Sequence, residues 1–279
     1  MKKRILSGAQ PSGQLHIGNY FGMIDRMVSF QSNADLFCFV ANYHSLTSIS
    51  NKDKLEKNTK EAFVDLLALG IDPIKSTFWI QSHVPEVTEL AWILSNFSSV
   101  GLMQRSTSYK DKISNGLKPN MGLFSYPILM ASDILLFNSD IVPVGKDQKQ
   151  HLEITRDLAK AFNHKYPNSF IVPEISIDDK SQIIAGTDGN KMSKSYDNTI
   201  DIFLSDKKLR KTIMQIKTDS IPAEAVKNHE TCNVFNLYRL IASDNQVLEM
   251  QKKYQAGNFG YGQAKEDLYK LILDKFQNE

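Results

Sequence analysis

Over roughly the first 160 residues, short apolar runs alternate with stretches in which apolar residues recur every three to four positions. Arg4 to Ser7 predicts a short buried strand ended by Gly8. A helix is expected from about Ile17 to Phe30, with Met23, Met27 and Phe30 along one side. Leu36 to Val40 and Thr77 to Gln81 predict two further strands. Between them lies a helix over Lys52 to Leu69, whose Leu55, Phe63, Leu66, Leu67 and Leu69 fall mostly on one face. Gly70 stops that helix and Asp72-Pro73 turns the chain. Helices near 85–97 and 126–137, an apolar segment Ile141 to Val144 and a helix from about Asp147 to Phe162 continue the alternation. Strands interleaved with helices predict a parallel sheet covered on both faces, the doubly wound α/β class.

The pattern changes after residue 162. Tyr166-Pro167-Asn168, Pro173, Asp178-Asp179 and Gly186-Thr187-Asp188-Gly189 are turn chemistry, broken only by an apolar segment near Phe170 to Val172. A mobile loop at about 174–195 is expected. Beyond 200 the spacing is helical, near 206–217, 232–242, 245–255 and 261–277. The expected organisation is therefore a Rossmann-like α/β domain over 1–190 and an α-helical domain over 196–279.

Hydrophobic residues at 42% and charged residues at 23% are those of an ordinary globular protein and exclude collagen-like and disordered classes. No run approaches the roughly 18 apolar residues of a membrane span. Polar Ser7, Gln10 and Ser12 follow the basic Met1-Lys2-Lys3-Arg4 too closely for a signal peptide, so a cytoplasmic location is expected. Cys38 and Cys232 alone cannot build a disulfide framework or a four-thiolate metal site. The balance of 33 basic against 31 acidic residues is too even to argue for nucleic acid. Lys207, Lys208, Arg210, Lys211 and Lys217 form the clearest basic run. Leu209, Ile213 and Ile216 can supply a buried stripe behind it, so a solvated helix face is the preferred reading.

Two segments carry candidate chemistry. In Ser7 to Asn19 a strand runs through a turn containing Gly8 and Gly13 into a helix opening near Ile17. Parallel sheets place ligands at the carboxyl ends of their strands. A helix N-terminus there offers N–H groups to a phosphate, and His16 and Asn19 can donate alongside it. The alternative is a turn that merely needs glycines. The second segment, Lys191-Met192-Ser193-Lys194-Ser195, suits a clamp on a polyphosphate, since lysine is a point charge on a long stem. Taken alone, a solvated basic loop is the preferred reading.

Together, His16-Ile17-Gly18-Asn19 early and Lys191-Met192-Ser193-Lys194-Ser195 late resemble the paired signatures of class I aminoacyl-tRNA synthetases. Tyr126-Pro127-Ile128-Leu129-Met130-Ala131-Ser132-Asp133 and Val142-Pro143-Val144-Gly145-Lys146-Asp147-Gln148 narrow the resemblance to the tryptophanyl branch of that family. It spans about residues 4 to 270.

The resemblance implies ATP, with Mg²⁺ bound to it, as cosubstrate, L-tryptophan and tRNA(Trp) as partners, and a homodimer. It makes Asp133 the acceptor for the indole N–H, with Met130 packed on the indole. A carboxylate is apt there because the indole nitrogen only donates. Tyr126 and Gln148 would hold the ammonium of the amino acid, while Gly8, His44 and Val144 would border its pocket. Gln10, His16, Gly18 and Asn19 would bind ATP. Gly145 and Asp147 would take the ribose, and Lys112, Lys191, Met192, Ser193 and Lys194 would hold the nucleotide and its phosphates. The catalytic donors implied are His16, Lys112, Lys191 and Lys194.

Three places depart from the pattern. Lys146 stands where many relatives carry an acid, Asn42-Tyr43-His44-Ser45 replaces a more usual Asp-Gln-His-Ala, and Leu6 stands where some relatives place a Phe. Relatives continue for some tens of residues past the point matched by Lys270 to Glu279, so the helical domain is expected to be shortened. A relative that binds tryptophan without charging tRNA is the competing reading. Retention of His16, Lys191 and Lys194 argues against it, since a sensor has no use for a pyrophosphate clamp.

Overall fold

A computed structural model describes residues 2–114, 116, 119–177 and 184–276. Five strands form one sheet: β1 (Arg4–Ala9), β2 (Asp35–Val40), β3 (Ser76–Ile80), β4 (Ile141–Val144) and β5 (Glu174–Ile177). Their order is β3-β2-β1-β4-β5 and every pairing is parallel. The chain builds outward from β1 through β2 to β3, then crosses to the other side for β4 and β5. That reversal beside β1 opens a crevice at the carboxyl ends of the strands, where open α/β sheets bind ligands.

Alternation along the strands sets the two faces. Phe37 and Phe39 of β2 lie with Trp79 of β3 on one face, Phe39 and Trp79 stacked at 5.2 Å. Here Leu6, Phe39, Ala41 and Val142 meet Ile134 and Leu152 from the helices Met121–Leu136 and Lys149–Lys165. The same helices pack with Glu86–Ser95 in a second cluster, including Leu90, Leu94, Ile128, Ala131, Ile154 and Leu158. The other face takes the helix Lys52–Ala68, whose Phe63 stacks on Phe78 of β3 at 4.4 Å. Cys38 is fully buried, and burial pushes its thiol up to about 12. Cys38 and Cys232 are both free thiols.

By packing, the chain divides into two units: Met1–Gly13 with Met27–Ser181, and Gln14–Arg26 with Gln182–Glu279. The segment bearing His16 thus groups with the C-terminal helices rather than with the sheet, a different partition from one at residue 190. In the second unit, helix Asp206–Met214 lies against helix Tyr261–Phe276, joined by an Arg210–Glu266 ion pair of 2.9 Å and a hydrogen bond from the Tyr269 hydroxyl to Asp206. Leu209, Ile213 and Ile216 are buried there, while Lys207, Lys208, Arg210, Lys211 and Lys217 are exposed. The basic run is a helix face with an apolar back.

The structure corrects several boundaries. The helix expected over 17–30 contains a π turn, Tyr20–Ile24, between α-helical Ile17–Asn19 and Asp25–Phe30. The helix expected from 126 begins at Met121, because Asn120 caps it by accepting from the Leu123 N–H at 2.8 Å. Residues 174–177, expected in a loop, form edge strand β5, paired with β4 throughout. Residues 178–183 of that expected loop lie outside the described residues. Among the described residues, no helix is long and apolar enough to cross a membrane.

Gly8 pairs with Phe39 across β1 and β2, and a Cβ at Gly8 would stand 2.7 Å from the Phe39 ring. The ring is buried and stacked on Trp79, so it cannot swing aside. Gly8→Ala is therefore expected to cost about 1–3 kcal/mol, seen as a lower midpoint in urea with an unchanged slope.

Candidate active site

In the first unit the sheet's carboxyl edge carries a buried acid. Asp133 is 3% exposed on the helix Met121–Leu136, and desolvation pushes its carboxyl above the ordinary carboxylate range. Two neighbours oppose that rise. His44 Nε2 lies 2.8 Å from Oδ2, and Gln81 Nε2 donates to Oδ1 at 2.8 Å and Oδ2 at 2.9 Å. An ionised carboxylate only accepts, so the imidazole nitrogen facing it donates. His44 sits on the short helix Asn42–Ser45 directly after β2, and Gln81 opens a 3₁₀ turn directly after β3.

Tyr126 and Met130, at i−7 and i−3 from Asp133 on the same helix, are half-buried. The Tyr126 hydroxyl and His151 Nε2 are 2.7 Å apart. Met130 packs against the cluster of Leu6, Phe39 and Val142, as does Val144 at the end of β4. A core role and a place bordering a ligand are thus both open to Met130. Gln148 ends the turn after β4, its N–H donating to the Gly145 carbonyl at 3.0 Å. Gln10 is exposed just past β1. The side chains of Lys112 and Asp147 lie outside the described residues.

The second unit brings the two signature segments together. Ile17 N–H donates to the Ile200 carbonyl at 2.9 Å and Ile202 N–H to the Leu15 carbonyl at 3.1 Å, so residues 15–17 and 200–202 form an antiparallel bridge. His16 is buried, and its Nδ1 has no hydrogen-bond partner. Its pKa falls to about 4, first through burial and then through the positive Lys194, against an opposing influence of Asp201. His16 is therefore neutral at physiological pH and can offer a neutral donor.

The N–H groups opening the Ile17 helix have partners of unequal strength within the chain. Ile17 donates to Ile200, Gly18 donates to Met192 Sδ at 3.3 Å, and Asn19 donates to the His16 carbonyl at 2.8 Å. Asn19 Oδ1 in turn accepts from His16 N–H at 3.1 Å. Only the thioether of Met192 is a weak acceptor, so the Gly18 N–H is the one a ligand could take over.

Lys191 and Lys194 are exposed, and Met192 between them is buried. The segment is organised by Asn198, which is 1% exposed. Asn198 Oδ1 accepts from Ser193 N–H at 2.7 Å, and its amide donates to Asp188 at 2.7 Å and to the Lys191 carbonyl at 3.0 Å. Hydrogen bonds from Asn190 and Asn198 hold Asp188 down to about 2. A Cβ on Gly186 would collide with the side chain and backbone of Asn198. Asn233, opening the helix Asn233–Tyr238, donates to the Gly186 carbonyl at 2.7 Å. Sequence reasoning missed Gln81, His151 and Asn198. Gln81 alone left a signal, a polar residue closing an apolar strand at the sheet's ligand-binding edge. Among the described residues, no three His, Cys, Asp or Glu side chains gather as a metal site.

Comparison with known proteins agrees with this arrangement. The family described as tRNA synthetases class I (W and Y) matches residues 1–277. A parallel sheet with these two signatures defines a class I synthetase, and the chain belongs to this tryptophan and tyrosine family. Within it, the chain is 54% identical over 275 residues to a tryptophan–tRNA ligase of Fusobacterium nucleatum, covering 98% of this chain and 84% of that one. It is 52% identical to the Campylobacter jejuni tryptophan–tRNA ligase over 98% of this chain and 86% of the other. A crystal structure of the C. jejuni tryptophanyl-tRNA synthetase with ADP and tryptophan superposes with a TM-score of 0.94, at 51% identity over 99% of this chain and 86% of that chain. A tyrosyl-tRNA synthetase of Archaeoglobus fulgidus, at 18% identity and a TM-score of 0.74, shares the fold.

Asn198→Asp sets a second carboxylate against Asp188 and removes a donor. Limited trypsin digestion is expected to cut faster at Lys191 and Lys194 while the sheet unit stays intact. For His16 the unfolded chain takes a proton near pH 6.5 and the folded one only near 4. Its contribution to stability is thus full above about pH 6.5 and declines as pH falls towards 4. Denaturation curves of His16→Asn should show a shallower loss across that window than the unsubstituted chain.

Proposed function

We propose that the chain is a tryptophan–tRNA ligase, activating L-tryptophan with ATP and passing it to tRNA(Trp). The observation that carries this reading is the buried Asp133 carboxylate, an acceptor held at the sheet's carboxyl edge by two donors. A site built to accept one N–H rejects rings that lack it, because its polar groups are then left unpaired. Similarity to the C. jejuni enzyme solved with tryptophan and ADP supports the same ligands here.

The amino-acid carboxylate attacks the α-phosphorus of ATP in line, the bond to the β,γ-phosphates breaks, and pyrophosphate leaves. The nucleophile is already an anion, so no general base is needed. Catalysis is positioning together with charge stabilisation. Tyr126 and Gln148 hold the ammonium, Met130 and Val144 flank the ring, and Gly8 and His44 border it. Gln10, Gly18, Asn19, Gly145, Asp147, Met192 and Ser193 hold the nucleotide. Neutral His16 donates to the phosphates, its unpartnered Nδ1 fitting a ligand contact. Lys112, Lys191 and Lys194 neutralise charge growing on the leaving group. Mg²⁺ enters with ATP, where it would screen the phosphate charge. Residues 1–190 form the catalytic domain and 196–279 the anticodon-binding-type domain of a cytoplasmic homodimer.

Tryptophan-dependent ATP–pyrophosphate exchange tests the reading against tyrosine and phenylalanine. Exchange is expected with tryptophan alone; binding without exchange would instead favour a tryptophan sensor. Lys194→Ala is expected to lower kcat for exchange by about 100-fold or more, with KM for tryptophan little changed.

A further inference from the structure

We propose that Gln81 is a positioning residue that sets the selection of tryptophan, by fixing the plane in which the Asp133 carboxylate meets a ligand N–H. The inference rests on the tryptophan reading above. The terminal torsion of an aspartate is soft and broad, so packing at Cβ does not fix where its oxygens point. Gln81 removes that freedom. A single amide nitrogen bridges both oxygens, at 2.8 Å and 2.9 Å, and the side chain is fully buried.

The amide itself cannot turn over. Its Oε1 accepts from the Tyr43 N–H at 2.9 Å, so a flipped amide would set oxygen against carboxylate and N–H against N–H. Tyr43 precedes His44, the other group touching Asp133, so one side chain fixes both the acid and the segment bearing its second donor. That segment is clipped again by its neighbour. Asn42 Nδ2 donates to Ser82 Oγ at 2.9 Å, and Ser82 N–H donates to Asn42 Oδ1 at 3.1 Å. Asn42 lies in the tetrad that departs from the usual family pattern, and a neutral amide is the group that can make this reciprocal pair.

The donors are distributed unevenly. Oδ2 takes Gln81 and His44, whereas Oδ1 takes Gln81 alone. A carboxylate offers about four lone-pair positions, so Oδ1, with one donor against two on Oδ2, keeps the greater capacity to accept an indole N–H. The plane in which those lone pairs lie is set by Gln81.

The test uses the full chain and two ligands of nearly equal shape: tryptophan and β-(3-benzothienyl)alanine, whose sulfur replaces the indole N–H. Binding constants for both, and KM and kcat for ATP in exchange, are measured for the unsubstituted chain, Gln81→Met and Gln81→Glu. Gln81→Met keeps the volume without the donor; Gln81→Glu keeps the shape and the acceptor for Tyr43. Both are expected to weaken tryptophan by about ten- to a hundredfold, to leave the analogue within about threefold, and to leave KM for ATP unchanged. The preference for tryptophan should shrink accordingly. Equal weakening of both ligands would reduce Gln81 to a structural role and overturn the proposal, as would an undiminished preference in either folded variant. No tryptophan preference in the unsubstituted chain would overturn the functional reading itself, and the proposal with it.

Discussion

A carboxylate can leave water only if hydrogen-bond donors go with it, and Asp133 sets that requirement on the whole sheet unit. Its two donors come from different strand ends, His44 after β2 and Gln81 after β3. The parallel register that puts Val40 beside Ile80 is what brings both ends level with the acid. The helix carrying Asp133 is anchored through Ile134 against Leu6 and Phe39, and through Ser132, whose hydroxyl donates to the Val87 carbonyl at 2.5 Å. Sheet register, helix packing and polar satisfaction thus converge on one side chain.

In the second unit a backbone ladder does comparable work. The bridge between residues 15–17 and 200–202 holds the early signature to the segment following the late one. Burial of His16 and the nearby positive Lys194 keep its imidazole uncharged. On the proposed reading, a neutral imidazole adds no further fixed cation to those of Lys112, Lys191 and Lys194.

Much of the sheet was legible because parallel strands are buried on both faces and read as apolar runs such as Leu36 to Val40. Strand β5 was not, because Glu-Ile-Ser-Ile at an edge is short and half polar and follows turn residues. The start of the Met121 helix was hidden by Pro127 and small residues, and only Asn120 as a cap marks it. Asp133 carried weight only through resemblance, since an isolated acid after a serine looks like a surface group. Asn198 was illegible for a different reason, and Gln81 left only its place at the end of an apolar strand. Neutral amides have no charge or periodic signature, and their importance lies in partners up to 52 positions away in the case of Gln81 and Asp133. At the N-terminus opening at Ile17 the sequence did not show which amides have partners in the fold: Ile17 N–H is taken by the Ile200 carbonyl, whereas Gly18 N–H meets only the Met192 thioether.

The grouping of residues 14–26 with the C-terminal helices has a consequence for the order of biosynthesis. Tyr20 packs edge-on against Phe276 at 5.0 Å, with the Lys275 ammonium 5.5 Å above its ring. These partners are separated by almost the entire chain. A ribosome releases β1 and β2 early, with the apolar Ile17, Tyr20 and Ile24 between them, but the partner that Phe276 gives Tyr20 arrives only with the helix Tyr261–Phe276. Contacts of such long sequence separation form late and leave apolar surface open in the meantime. The nascent chain should therefore hold Tyr20 without its Phe276 partner through most of translation, a period in which a chaperone would have its target.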